Sequence, residues 1–129
     1  MKTLKIKWQR LVLKGQTCPR CRNTGKALEK AVSTLKVSLA SLGIKVIFEK
    51  YELSVATFKK APLSSNQIQI NGRSLEDWVG GRTGKSKCCD VCGPNDCRTT
   101  RIKGRTYESI PVKLLLRAAL LAAAELKGE

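Results

Sequence analysis

The sequence predicts a mixed α/β fold in which a small β-sheet is flanked by helices. Segments with the two-residue period of strands alternate with segments that have the 3.6-residue period of helices. The chain opens with strand, long helix and strand, an order that predicts a βαβ unit with parallel strands. Its 129 residues, 42% of them hydrophobic, are enough for one core, so we expect a single domain over residues 1–129.

The first third of the chain carries the clearest periodicity. Residues 3–13 alternate apolar with charged or polar side chains, which predicts a half-buried strand. Residues 19–43 place apolar side chains every three or four positions and end in glycine, which predicts a long helix. Thr17 or Cys18 would be its N-cap. Residues 44–48 alternate again and predict a second strand.

Shorter elements are predicted in the middle of the chain. Residues 54–60 predict a short helix that begins with a capping serine. Residues 66–72 alternate and end in Asn-Gly, which predicts a third strand that runs into a turn. Residues 74–78 predict one further helical turn, again with a capping serine.

The last third of the chain predicts a loop, a hairpin and a helix. Residues 80–96 are rich in Gly, Lys, Cys and Asp and lack periodicity, which predicts a loop. Residues 98–110 predict a hairpin that turns at Lys103-Gly104, and residues 111–126 predict a helix with one apolar face. We expect the hairpin and the closing helix to complete the same mixed sheet.

The charge and hydropathy of the chain bear on its partners and location. The formal net charge is +15, but the basic residues are spread over the whole chain and only six aromatic side chains accompany them. This indicates a solvated basic surface and argues against a nucleic acid partner. The longest apolar region, residues 114–126, is shorter than the ~20 residues of a membrane span. The first ten residues lack the apolar run of an export signal, so we expect a cytoplasmic protein without a membrane partner.

Two cysteines lie where the first strand gives way to the long helix, in the motif Cys18-Pro19-Arg20-Cys21. The positive end of a helix dipole stabilises a thiolate over a thiol, which makes such a sulfur reactive or metal-binding. Paired cysteines in a reducing cytosol are more often catalytic, redox-sensing or metal-ligating than permanently crosslinked. The chain has no histidine, which excludes a Cys-His dyad and a histidine-ligated metal.

The first 72 residues resemble the thioredoxin- and glutaredoxin-like proteins, with Cys18-Pro19-Arg20-Cys21 at the motif position after the first strand. The whole chain is similar to a prokaryotic domain family of unknown function that joins this unit to a later Cys-Cys-x-x-Cys-x4-Cys loop. The resemblance implies a thioredoxin-like mixed sheet flanked by helices, with a cysteine-rich insertion at about residues 80–98. It also implies that Cys18 is the exposed nucleophile and Cys21 the partly buried resolving thiol, with Arg20 helping to lower the pKa of Cys18.

One departure from that family concerns the stretch before the third strand. The thioredoxin-like proteins usually place a cis-proline there, facing the cysteine pair, whereas this chain has Ser64, Ser65 and Asn66. Pro62 comes too early to replace it. The first cysteine pair could therefore be a metal ligand set as well as a catalyst.

The second cluster places four thiols within ten residues: Cys88, Cys89, Cys92 and Cys97. Four thiolates are the number that a structural Zn²⁺ needs. An alternative set takes one Cys-x-x-C pair from each cluster, namely Cys18, Cys21, Cys89 and Cys92, and leaves the other two for a disulfide or a second role. An iron–sulfur cluster fits less well, because the spacing matches neither ferredoxin pattern.

These observations leave three functions open. The first is a thiol-disulfide oxidoreductase or redox protein that uses Cys18 and Cys21, with a protein or small-molecule disulfide or thiol as partner. The second is non-catalytic binding of zinc or another soft metal or metalloid by the thiolates. The third is a basic nucleic-acid-binding module, which the scattered charge argues against. No cofactor is fixed by the sequence.

Overall fold

The structure is a computed structural model that describes residues 2–12, 15, 17–87 and 96–128. Strands and helices alternate through the first half of the chain, and a second group of strands precedes the final helix. The elements in chain order are β1 Lys2–Leu11, α1 Pro19–Ala40, β2 Ile44–Leu53, α2 Val55–Lys60, a 3₁₀ turn Pro62–Ser64, β3 Gln67–Ile70, β4 Arg73–Ser74, α3 Leu75–Val79, β5 Arg82–Lys87, β6 Asp96–Ile102, β7 Arg105–Tyr107 and α4 Val112–Gly128.

The strands form two sheets. The first has the order β2-β1-β3-β4, in which β1 and β2 are parallel and the other pairs antiparallel. The second is antiparallel, with the order β5-β6-β7. The mixed α/β architecture with flanking helices is therefore confirmed, and it is consistent with a thioredoxin-like fold.

The core lies between the first sheet and the two long helices. Leu4, Ile6 and Trp8 of β1 are buried, whereas the alternate side chains of the strand are exposed or half-buried. α1 and α4 pack against each other and against this sheet. α1 buries one stripe at three- and four-residue spacing, and α4 does the same with leucines and alanines. Within the described residues, no helix has the length and apolar character to cross a bilayer.

The helix starts and the turns agree with the sequence patterns. Cys18 is the N-cap of α1, while Ser54 and Ser74 cap α2 and α3 with their side chains. The turn between β6 and β7 has positive φ angles at Lys103 and Gly104, as the predicted hairpin requires.

Two predictions about the later strands are wrong. Residues 80–96 were expected to form a loop, but Arg82–Lys87 forms β5, which pairs with β6. The hairpin of residues 98–110 does not complete the first sheet, because β6 and β7 join β5 in a sheet of their own. The strand β5 has no apolar side chain and is held by backbone pairing, so its sequence carries no hydrophobic period.

Candidate functional site

The cysteine pair lies at the start of helix α1. Cys18 has an extended backbone, and its carbonyl accepts the first helical hydrogen bond, from Arg22 N at 2.9 Å. Pro19 occupies the first turn, which contains no acidic side chain. The positive end of the dipole of a 22-residue helix therefore lies beside Cys18 without a carboxylate to offset it.

Both thiols are buried. Cys18 is 1% exposed and Cys21 is 3% exposed, so the prediction of a solvent-exposed Cys18 is wrong. The reason lies in the phase of the helix. Cys21 is followed at three- and four-residue spacing by Thr24 and Leu28, which lie on the buried face of α1. The first turn thus points the motif toward the core.

A hydrogen bond joins the two thiols. A hydrogen bond with Cys18 is the main cause that raises the pKa of the Cys21 thiol, and burial raises the pKa further. Bonds with Ser65 and Thr17 act in the opposite direction but do not offset these effects. The Cys21 thiol therefore holds its proton more tightly than a free cysteine thiol does.

A serine faces the pair from the segment before β3. Ser65 is buried, and its Oγ lies 3.8 Å from the Sγ of Cys21. The same oxygen accepts a hydrogen bond from Leu11 N at 2.9 Å, which fixes it against the end of β1. Pro62 lies in the 3₁₀ turn, and no cis peptide bond occurs among the described residues. The Ser65 hydroxyl thus faces the cysteine pair.

A buried network of hydrogen bonds lies beside Ser65 and the cysteine pair, at Asn66 and Thr24. Asn66, which has a φ of 59°, accepts from Trp8 Nε1 at 3.0 Å and donates to Thr24 Oγ1 at 3.2 Å. The same Thr24 oxygen accepts from Ile110 N at 3.0 Å. Sequence reasoning missed this role of Thr24. A threonine on the apolar stripe of α1, one turn after Cys21, is the signal that could have revealed it.

Arg20 connects the motif to the second sheet. Its guanidinium donates to the carbonyl oxygen of Lys87, at the end of β5, and forms an ion pair with Glu108 at 3.0 Å. Ser109 donates to the Arg20 carbonyl oxygen at 3.1 Å. The side chain is 12% exposed and runs from the start of α1 to the second sheet. Sequence reasoning missed Glu108 and Ser109, because neither belongs to a motif.

The second cysteine cluster is described only in part. The described residues do not include Cys88, Cys89 and Cys92. The two predicted metal sets that use these cysteines therefore lie outside the described part of the chain. Cys97 lies in β6, is 4% exposed and stands opposite Ser86 of β5. The part of the chain that the structure describes contains no group of three or more Cys, Asp or Glu side chains able to hold a metal.

Comparisons with known proteins place the chain in a family. Residues 4–119 match the family described as "Domain of unknown function (DUF2703)". The chain belongs to this family. A relative from Archaeoglobus fulgidus (strain ATCC 49558 / DSM 4304 / JCM 9628 / NBRC 100126 / VC-16), called "Uncharacterized protein", is 48% identical over 112 residues, which cover 87% of this chain and 82% of the relative. No solved structure matches the chain.

Proposed function

We propose that this member of the DUF2703 family is a thiol redox protein in which Cys18 and Cys21 form and break a disulfide. The observation that carries the proposal is the hydrogen-bonded pair of thiols at the N-terminus of α1. Residues three apart in a helix are neighbours, with Cβ atoms ~5–6 Å apart, so a small local adjustment suffices to join the two sulfurs. The strand order of the first sheet also supports membership in the thioredoxin-like superfamily.

The proposed reaction transfers two electrons from the dithiol to a disulfide. The Cys18 thiolate attacks one sulfur of the substrate, which releases the other sulfur as a thiolate. Cys21 gives its proton to that leaving thiolate and attacks the Cys18 sulfur. The second substrate thiolate leaves, and the protein keeps a Cys18–Cys21 disulfide. The helix dipole favours the thiolate in the first step. Arg20, whose charge is paired with Glu108, would instead hold the motif against the second sheet.

Burial determines what can reach the pair. Since Cys18 is 1% exposed, a protein substrate needs a local opening of the segments over α1 before attack. The segment that holds the second cluster begins after Lys87, whose carbonyl accepts a hydrogen bond from Arg20. This contact supports a role for the later cysteines as the intramolecular relay that exchanges electrons with the pair.

The experiment is a redox titration of protein purified without oxygen. Alkylation of free thiols followed by peptide mass spectrometry should reveal a Cys18–Cys21 disulfide that forms and disappears reversibly with the glutathione ratio. Cys18→Ser should abolish reduction of a model disulfide, and Cys21→Ser should trap a mixed disulfide at Cys18. Cys97→Ser is the control, and its Cys18–Cys21 disulfide should still form. Normal disulfide reduction by Cys18→Ser would contradict the proposal.

A second candidate is the binding of a soft metal or metalloid. The bond from Arg20 to Lys87 supports it as well, because Lys87 directly precedes the second cluster in the sequence. Thiolates from both clusters would then supply the ligands, and Zn²⁺ is the ion that four thiolates suit best. Elemental analysis of the anaerobically purified protein decides between the candidates. A metal-free protein that also fails to bind added Zn²⁺ excludes this one.

A further inference from the structure

The second sheet forms a cavity that the redox proposal does not use. It follows strands β5 and β6 and the turn that leads into β7, and its volume is about 600 Å³. Sites for small molecules usually have volumes of ~300–1,000 Å³. We call this cavity the basic groove. The groove lies around Arg82 and Arg101. The opposite end of the β5–β6 ladder, at Lys87 and Asp96, is where the strands meet the second cysteine cluster.

All four charged side chains that line the basic groove are positive. They are Arg82, Lys85, Arg101 and Lys103. Within the described part of the chain, none of them forms an ion pair or a side-chain hydrogen bond. The glutamates that do form ion pairs are engaged by basic residues elsewhere, such as Lys5, Lys50 and Arg73. Arg82 and Arg101 share one face of the sheet, whereas Lys85, opposite Arg98, projects from the other face, where it lines a second cavity together with Asp96.

Two of these cations face each other directly. Arg82 of β5 pairs with Arg101 of β6 in an antiparallel ladder, and residues in direct opposition project from the same face. Like charges in that position destabilise a sheet. An anion bound between the two guanidinium groups would remove the repulsion, and each planar guanidinium could donate two hydrogen bonds to its oxygens.

Hydroxyl groups and a glycine complete the lining. Gly84 pairs with Thr99, and a Cβ atom added at Gly84 would lie 2.6 Å from the Oγ1 of Thr99. Thr99 is 4% exposed, and glycine at this position lets its side chain pack directly against the backbone of β5. Thr106, opposite Arg101, also lines the groove. Hydroxyls beside arginine and lysine are donors that suit the oxygens of a phosphate group.

We propose that the basic groove binds a small molecule that carries two or more phosphate groups. Arg82, Arg101 and the turn residue Lys103 supply three positive charges, which suits a ligand with more than one phosphate group, and the volume suits a ligand of that size. A single-stranded nucleic acid is disfavoured, because its binding depends on aromatic stacking and no aromatic residue lines the groove in the described structure. The proposal is independent of the cysteine chemistry.

Calorimetric titration of the reduced full-length chain with pyrophosphate tests the proposal. At 50 mM salt, Arg82→Gln/Arg101→Gln should weaken pyrophosphate binding at least about tenfold. Lys113→Gln/Arg117→Gln is the matched control, since it removes the same charge from exposed positions on α4 and should leave the affinity within about twofold. Removal of the opposed arginines should not lower the melting temperature of the ligand-free protein.

Three results would overturn the proposal. They are the absence of pyrophosphate binding by the native chain, equal losses in the two double variants, and tighter binding of citrate or of a single-stranded oligonucleotide than of pyrophosphate. Should the arginine variant fail to fold, Lys103→Asn provides the same test. Asparagine tolerates the positive φ of 49° at this turn and removes one groove charge. Unchanged pyrophosphate affinity in Lys103→Asn would then reject the proposal.

Discussion

At the scale of single residues, the cysteine motif was predictable from the sequence, but its surroundings were not. The spacing of Cys18 and Cys21 and their position at a helix start are local properties that the chain displays directly. The buried phase of Cys21 is local, since it shares the stripe of α1 with Thr24 and Leu28. The contacts that cover the motif are not local, because the pairs Cys21–Ser65 and Thr24–Ile110 each join residues more than 40 positions apart. No local pattern encodes such contacts, and the nucleophile that was expected to be exposed is buried.

The raised pKa of Cys21 predicts a pH dependence of stability. The unfolded chain ionises this thiol above pH ~8.5, whereas the folded protein retains the proton. The stabilising contribution of the protonated Cys21 thiol is therefore fully present below that pH. As the pH rises above it, the free energy of unfolding falls by at most ~1.4 kcal/mol per pH unit. Urea unfolding under reducing conditions from pH 7 to 10 measures the decline. Cys21→Ser should show a shallower decline than the native chain, and equal slopes would contradict the assignment.

At the scale of elements, the helices were predicted better than the strands. α1 and the serine caps of α2 and α3 follow from periodicity and from capping chemistry, which are local. The strand β5 could not be predicted, since its partner β6 supplies the pairing and its own side chains are polar. Gly25 has a low helix propensity, and a contact with another element explains its position inside α1. A Cβ atom at Gly25 would lie 2.8 Å from the Trp8 ring of β1.

Gly25→Ala should therefore destabilise the protein. Helix propensity alone predicts a gain of ~1 kcal/mol for this substitution. The methyl group would instead displace the buried Trp8 ring, and overpacking of this kind costs ~1–3 kcal/mol. Chemical denaturation measures the change in unfolding free energy. Ser33→Ala, at an exposed position of the same helix, is the control and should be neutral or slightly stabilising. An increased free energy of unfolding for Gly25→Ala would show that the Trp8 ring can move aside without an energetic penalty.

At the scale of the whole molecule, a buried ion pair attaches the second sheet to helix α3. Arg98 of β6 contacts Glu76 of α3 at 2.9 Å and donates to Leu63 O at 2.8 Å, while Thr100 donates to Glu76 at 2.6 Å. Burial acts to raise the pKa of Glu76, but the hydrogen bonds and the charge of Arg98 outweigh it, so the pKa lies below its usual range. The ionised pair is therefore the state that holds β6 against α3.

Glu76→Ala should lower the free energy of unfolding by ~3–5 kcal/mol, because it leaves the Arg98 guanidinium buried without a counter-ion. The double variant Glu76→Leu/Arg98→Met should lose less, since no charge remains buried. Thermal and urea unfolding of both proteins test this. A loss below ~1 kcal/mol in the single variant would mean that the pair contributes little to the attachment of the second sheet.

The position of β1 has a consequence for the order of synthesis. Ile6 lies between Phe48 on one side and Ile70 on the other, so β1, which is synthesised before its two partner strands, becomes an inner strand of its sheet. Until Ile70 has left the ribosome, one edge of β1 has no neighbour and offers its peptide groups to any passing strand. Until translation reaches β3, that edge of β1 is therefore a place where the nascent chain can pair wrongly.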